Sequence, residues 1–97
     1  MVETVEKNGT SGRKVRFSFP AAPGRTVALA GVFNDWDPGA TVMEYCAEKS
    51  VYSCELFLPP GRYDYKFVLD GEWVLDESNP NFASNDFGTL NSVVVVE

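Results

Sequence analysis

The chain has 97 residues, 44% of them apolar and 13% aromatic, with a formal net charge of −6; that length makes one domain with a core of its own, and the apolar fraction excludes a disordered chain. The acidic balance argues against nucleic acid and anionic membrane as partners, because both are held through clustered Lys and Arg. There is no histidine, so the commonest general base and the commonest transition-metal ligand are both missing.

Taken in order, Met1 to Gly12 is poor in apolar residues and ends in Asn-Gly-Thr-Ser-Gly, which reads as a flexible lead. Residues 13–97 then form the domain. Arg13 to Phe19 alternates, with Val15, Phe17 and Phe19 on one side and Arg16 and Ser18 on the other, as a strand does. A Pro- and Gly-bearing turn leads to a second strand, Thr26 to Gly31, whose Val27 and Leu29 face one way and whose small Ala28 and Ala30 face the other. Val32 to Gly39 is rich in Asn, Asp, Pro and Gly and reads as a loop. Trp36 inside it has two readings: a cap on the end of the core, or a binding platform.

Thr41 to Cys46 and Val51 to Leu58 read as a third and a fourth strand around a polar turn. With that turn near Glu48 to Ser50, Cys46 lies opposite Tyr52, and Cys54 becomes a diagonal neighbour at roughly 7–8 Å, too far for an easy bridge. Two reduced thiols are therefore expected, with Cys54 in the core beside Tyr52, Leu56 and Leu58. No third or fourth ligand keeps metal-binding spacing, so neither a metal site nor a cofactor is expected.

Pro59-Pro60-Gly61 turns into the stretch with the clearest pattern, Tyr63 to Trp73. Tyr63, Tyr65, Phe67 and Leu69 fall on one face, and Asp64, Lys66 and Val68 on the other. Asp70-Gly71 is the pair that a two-residue type I′ hairpin turn favours. A loop of those two residues alone sets Leu69 opposite Glu72 and Val68 opposite Trp73, with Lys66 diagonal to Trp73. A cation and a large flat ring then share the face turned away from the core. Val74 and Leu75 finish the hairpin. Asp76 to Asp86 is long and polar and has no helical period; Asp76 and Asn79 are turn-capping residues there. Val93 to Val96 is the last strand, read as buried on both faces or central to its sheet. Short strands with a turn every eight to twelve residues, and no helical pattern, predict an antiparallel β-sandwich of about seven strands.

Three stretches resemble the signatures of a known family. They are Val-Ala-Leu-Ala-Gly-Val-Phe-Asn-Asp-Trp over residues 27–36, Leu-Pro-Pro-Gly-Arg-Tyr-Asp-Tyr-Lys-Phe-Val-Leu-Asp-Gly-Glu-Trp over 58–73, and Asp-Phe-Gly-Thr-Leu-Asn-Ser-Val-Val over 86–94. They are similar to the glycogen-binding module of AMP-activated protein kinase beta subunits, which also stands at the N-terminus of isoamylases, pullulanases and glycogen-branching enzymes (carbohydrate-binding module family forty-eight). The resemblance runs from Val15 to Val96. It implies an immunoglobulin-like, early-set β-sandwich that binds α-1,4-linked glucans such as glycogen and starch. By motif position it implies that Trp36 and Trp73 stack on glucose units, and that Lys66, Thr89 and Asn91 bond sugar hydroxyls. Where the kinase module has a leucine that pushes into the curved glucan, this chain has Phe87, which either fills that role with more area or turns into the core.

Catalysis is not expected. Glycosidases use paired carboxylates, and Asp70, Glu72, Asp76 and Glu77 are near one another in sequence, but Asp70 belongs to a turn and the others lie in or beside a solvated loop. Two further readings stand beside sugar binding. The chain is an accessory module that packs on the catalytic domain of a glycoside hydrolase of the family-thirteen type, or it is a protein-interaction domain with no sugar role, since fold alone does not settle function. The presence of both tryptophans, the lysine and the asparagine favours sugar binding. No run long enough to span a membrane occurs, no signal peptide precedes the first strand, and a cytoplasmic location is expected.

Overall fold

The structure, a computed structural model, describes residues 12–97 in full and the backbone of residues 2–8. The alternating stretches pair into two antiparallel sheets. The first has the order β1 (Val2–Asn8), β2 (Gly12–Pro20), β5 (Val51–Leu58), β4 (Glu44–Cys46). The second has the order β3 (Val27–Gly31), β6 (Gly61–Leu69), β9 (Leu90–Val96), β8 (Phe82–Ser84), and β7 (Glu72–Val74) also pairs with β6. The only helical element among the described residues is a 3-10 turn at Val32–Asn34.

Period-two alternation puts one face of each sheet inward. Val15, Phe17, Tyr52 and Leu58 from the first sheet meet Val27, Leu29, Tyr65, Phe67, Val94 and Val96 from the second. Tyr65 is fully buried and meets Phe17 edge-on with ring centres 5.1 Å apart. Each such aliphatic or aromatic side chain contributes about 1.5–3 kcal/mol by leaving water. The β6–β7 hairpin has the expected register: Leu69 faces Glu72, Val68 faces Trp73 and Phe67 faces Val74. Asp70 and Gly71 both have positive φ, as a type I′ turn requires. Asp70 also accepts from the Thr26 amide and from Arg25, and those bonds hold its carboxyl below the usual carboxylate range.

The loop after β7 carries a buried polar cluster. The Tyr65 hydroxyl donates to Asp76 Oδ2 at 2.8 Å, the Asp76 amide donates to Ser92 Oγ at 2.9 Å, and Asn79 Nδ2 donates to the Tyr65 hydroxyl and to the Val93 carbonyl. Asp76 Oδ1 accepts from the Ser78 amide and Asn79 Oδ1 from the Asn81 amide, so both residues cap turns as their types predict.

Four expectations are corrected. Of the lead read over Met1 to Gly12, residues 1 and 9–11 lie outside the described residues, but Val2–Asn8 forms β1 on the edge of β2 and Gly12 belongs to β2 itself. An edge strand is held by backbone hydrogen bonds and needs little apolar content. With β8, which forms inside the polar stretch read as a loop, the described residues hold nine strands where about seven were expected. The third strand is split between the sheets. Val42 bridges Ala28 and the Met43 amide reaches the Val27 carbonyl, whereas Glu44–Cys46 pairs with β5. Finally, Cys46 faces Val51 and not Tyr52. Ser50 takes a left-handed φ of 56°, and the turn closes one residue shorter. A one-residue change of register reverses the face, so Cys46 and Cys54 point to opposite sides of the sheet. Both are free thiols. The four valines also divide: Val93, Val94 and Val96 are buried, and Val95 is exposed.

Burial pushes the Cys54 thiol up from 9.0 to about 12, with Glu55 adding to the shift. The folded chain keeps this proton after the unfolded chain has lost it, so this group's contribution to stability falls as the pH rises from about 9 towards about 12. Urea midpoints measured between about pH 8 and about pH 10.5 should decline less steeply in Cys54→Ala than in the wild type. Parallel slopes in the two proteins would refute this assignment.

Candidate functional site

On one side of β6 two strands meet. β9 pairs with Gly61 to Tyr65 and β7 with Phe67 to Leu69, both on the edge opposite β3. Lys66 lies at the seam between them. The alternation that buries Tyr65 and Phe67 turns Lys66 and Val68 outward, and the same parity brings Trp73 of β7 and Asn91 of β9 to that outer face. Trp73 is 47% exposed.

Trp36 reaches this face from the other side. Ala28 and Ala30 of β3 join Val68 in a small apolar cluster outside the main core, and Trp36 packs on it. Of the two readings of this loop tryptophan, the structure shows the outer face and not a cap on the main core. Its ring centre is 6.5 Å from that of Trp73, with the planes at 45°. The loop is bent back by two consecutive left-handed residues, Asp35 and Trp36, with φ of 55° and 59°, each disfavoured by about 1–2 kcal/mol for a side chain with a Cβ. Asn34 holds the bend. Its Oδ1 accepts from the Gly31 amide, and its Nδ2 donates to the Leu29 carbonyl and to Thr41 Oγ1. The Trp36 amide closes on the Gly31 carbonyl at 2.9 Å.

The third part is the turn between β8 and β9. Asn85 Oδ1 accepts from the Phe87 and Thr89 amides. Asn85 Nδ2 donates to Thr89 Oγ1 at 2.7 Å and to Asn91 Oδ1 at 3.0 Å. Lys66 Nζ donates to Thr89 Oγ1 at 3.3 Å, and Asn91 Nδ2 donates to Asp64 Oδ2 at 3.4 Å. Phe87 is 91% exposed at the tip of the turn, so it does not turn into the core.

The structure gathers all the residues singled out above. Trp36, Lys66, Trp73, Phe87, Thr89 and Asn91 line one cleft of about 400 Å³, and Asn85 and Asp86 complete its wall. Sequence reasoning missed those last two because they lie in a stretch read only as a polar loop. The available signal was an Asn two residues before an aromatic and three before a glycine, an Asx-type turn; Gly88 indeed has a φ of 79°. The cleft holds flat apolar rings beside hydroxyl, amide and ammonium groups, which suits a ligand with apolar faces and a polar rim. Asp86 is the one carboxylate among its lining residues, whereas glycoside hydrolysis by acid and base takes two. Of the carboxylates weighed from sequence, Asp76 is buried under Tyr65 and Asp70 is engaged in its turn. Among the described residues no group of three or more Cys, Asp or Glu is placed to hold a metal ion, and no helix is long and apolar enough to cross a membrane.

Residues 13–97 match the family model described as the glycogen recognition site of AMP-activated protein kinase. The chain is 39% identical over 74 residues to "Protein PTST, chloroplastic" of Arabidopsis thaliana, covering 74% of this chain and 26% of that protein. It is 30% identical over 96 residues to the 5'-AMP-activated protein kinase subunit beta-1 of Rattus norvegicus, covering 99% of this chain and 33% of that subunit. The chain thus spans about a quarter to a third of the length of these relatives. Among solved structures, a maltogenic amylase from S. marinus superposes with a TM-score of 0.84 at 21% identity, over 100% of this chain and 16% of that one. That likeness is one of fold, and the all-β architecture is the early-set, immunoglobulin-like sandwich.

A Cβ added to Gly31 would lie 2.7 Å from the Asp64 carbonyl oxygen and 2.7 Å from the Phe33 ring. Gly31→Ala should therefore lower stability by about 1–3 kcal/mol, read from urea unfolding. It should also move the Trp36 environment, read from fluorescence. Wild-type stability in the variant would show that the close approach carries no cost.

Proposed function

The chain belongs to the family of glycogen recognition domains of AMP-activated protein kinase, and from that premise we propose that its outer cleft binds α-1,4-linked glucan through Trp36, Trp73 and Phe87, with Lys66, Thr89 and Asn91 bonding the sugar rim. The domain is a carbohydrate-binding module and not an enzyme. The observation that carries the residue assignment is that one cleft holds both tryptophans, the lysine and the Thr-Asn pair, drawn from four separate parts of the chain.

The rings cover the flat C–H faces of successive glucose units. Partial cover of two indoles contributes about 2–4 kcal/mol gross, and each rim hydroxyl that exchanges water for protein adds about 1 kcal/mol net. Ordering a flexible glucan takes part of this back. The result is weak binding, with a Kd on the order of 10–1000 μM. The outer branches of glycogen and starch share this α-1,4 chemistry, and the cleft takes either. The module serves to hold a longer protein against its glucan, in keeping with the share of its relatives that it spans.

Calorimetric titration with maltoheptaose and with β-cyclodextrin tests this. The wild type should give saturable heat in the range above. Trp73→Ala should weaken binding by at least about tenfold while remaining folded, since that ring is half exposed. No heat from folded wild type at millimolar maltoheptaose would overturn the reading.

A further inference from the structure

The hydrogen bonds around Asn85 are complete, and they have a direction. Its carbonyl oxygen accepts two backbone amides, Phe87 at 3.0 Å and Thr89 at 3.1 Å. Those partners are donors only, so the side-chain amide cannot be turned the other way. Its two N–H groups must then point at Thr89 Oγ1 and Asn91 Oδ1, where they are found at 2.7 and 3.0 Å.

This settles what the neighbours have left to offer. Thr89 Oγ1 accepts from Asn85 and from Lys66 Nζ, which occupies both lone pairs of a hydroxyl. Its own proton remains to be given. Asn91 has its oxygen on Asn85 and one N–H on Asp64 Oδ2, and its second N–H remains. Together with the Lys66 ammonium, Thr89 and Asn91 present donors to the cleft, whose one lining carboxylate is Asp86.

We propose that Asn85 is the positioning residue of the sugar-binding wall: by accepting two amides and donating to Thr89 and Asn91, it fixes both as hydrogen-bond donors to acceptor oxygens of the bound glucan. This rests on the glucan reading above. No other residue of this size does both jobs. An aspartate accepts but does not donate, and a serine has one proton. Asn85→Asp therefore keeps the bonds to the Phe87 and Thr89 amides and removes only the donated pair. The Thr89 hydroxyl then turns its proton onto the new carboxylate and away from the cleft.

The test is calorimetry with maltoheptaose on the wild type, Asn85→Asp, Thr89→Val and the double variant, with circular dichroism to check the fold. Each single change should weaken binding by about fivefold or more, the size of one net hydrogen bond. The double variant should bind no more weakly than the weaker single one, because Asn85 acts through Thr89 and Asn91 and Asn85→Asp already takes away the proton that Thr89 gives; a loss of turn structure unrelated to Thr89 would multiply with the Thr89 effect instead. Wild-type affinity in Asn85→Asp, or two losses that multiply, overturns the proposal and leaves glucan binding standing. No heat from the wild type overturns both. Should a variant not fold, NMR of the wild type decides. Two Asn85 side-chain amide protons protected from exchange support the proposal, and free exchange of either one overturns it.

Discussion

Along β6 the side chains alternate between Tyr65 and Phe67 in the core and Lys66 and Val68 on the outer face. A slip of one residue would exchange the two sets. The lysine would be driven into an apolar interior and the tyrosine lifted off its buried acceptor, so the core itself enforces the register that presents the cleft. β3 locks one edge of this strand. The other edge is shared by β7 and β9, which end and begin on either side of Lys66. The cleft lies where the sheet changes partners, and the opposite side of the same backbone is anchored by the fully buried Tyr65 and Phe67.

The rings above that floor are held by different means. Trp73 follows directly from hairpin geometry, since a two-residue turn leaves it nowhere to go but opposite Val68. Trp36 needs a bend against the backbone's preference, and the unfavourable conformations at Asp35 and Trp36 persist because the surroundings over-determine them. Three side-chain bonds from Asn34 and the absence of a Cβ at Gly31 fit the bend to β6. Ala28 and Ala30 are small enough for an indole to settle on them. Local backbone strain thus buys an aromatic ring that is supported from beneath yet open to solvent.

Alternation and turn chemistry made much of this legible. The strands at Arg13 to Phe19, Val51 to Leu58 and Tyr63 to Leu69, the Asp70-Gly71 turn and the outward Trp73 all follow from period two and from residues that tolerate positive φ. The three motif stretches carried the rest of the cleft, and no local rule would have joined Trp36 to Asn91. What stayed hidden carries no apolar alternation or turn signal of its own. β1, mostly polar, and β8, only three residues long, are edge strands that exist because a neighbour offers them a ladder. The passage of residues 41–43 from one sheet to the other depends on where β3 lies. The Cys46 register turned on a single left-handed residue, Ser50, which carries no turn signal comparable to glycine. Asn85 looks like any loop asparagine until Thr89 and Asn91 are folded beside it.

The buried cluster behind the cleft completes the argument. Asp76 and Asn79 follow β7 and bond Tyr65, Ser92 and Val93, the first two adjacent in the chain to Lys66 and Asn91. Burial also holds the Tyr65 phenol well above its ordinary pKa, which keeps on the hydroxyl the proton that it donates to Asp76 Oδ2. A buried network of this kind is costly when half satisfied and rigid when complete, and here no buried side-chain polar atom among the described residues lacks a partner. Weak ligands leave little margin for ordering a surface at the moment of binding. A wall whose donors are oriented from the front by Asn85, and whose strands are tied from behind by Tyr65 and Asp76, carries that ordering in the fold itself.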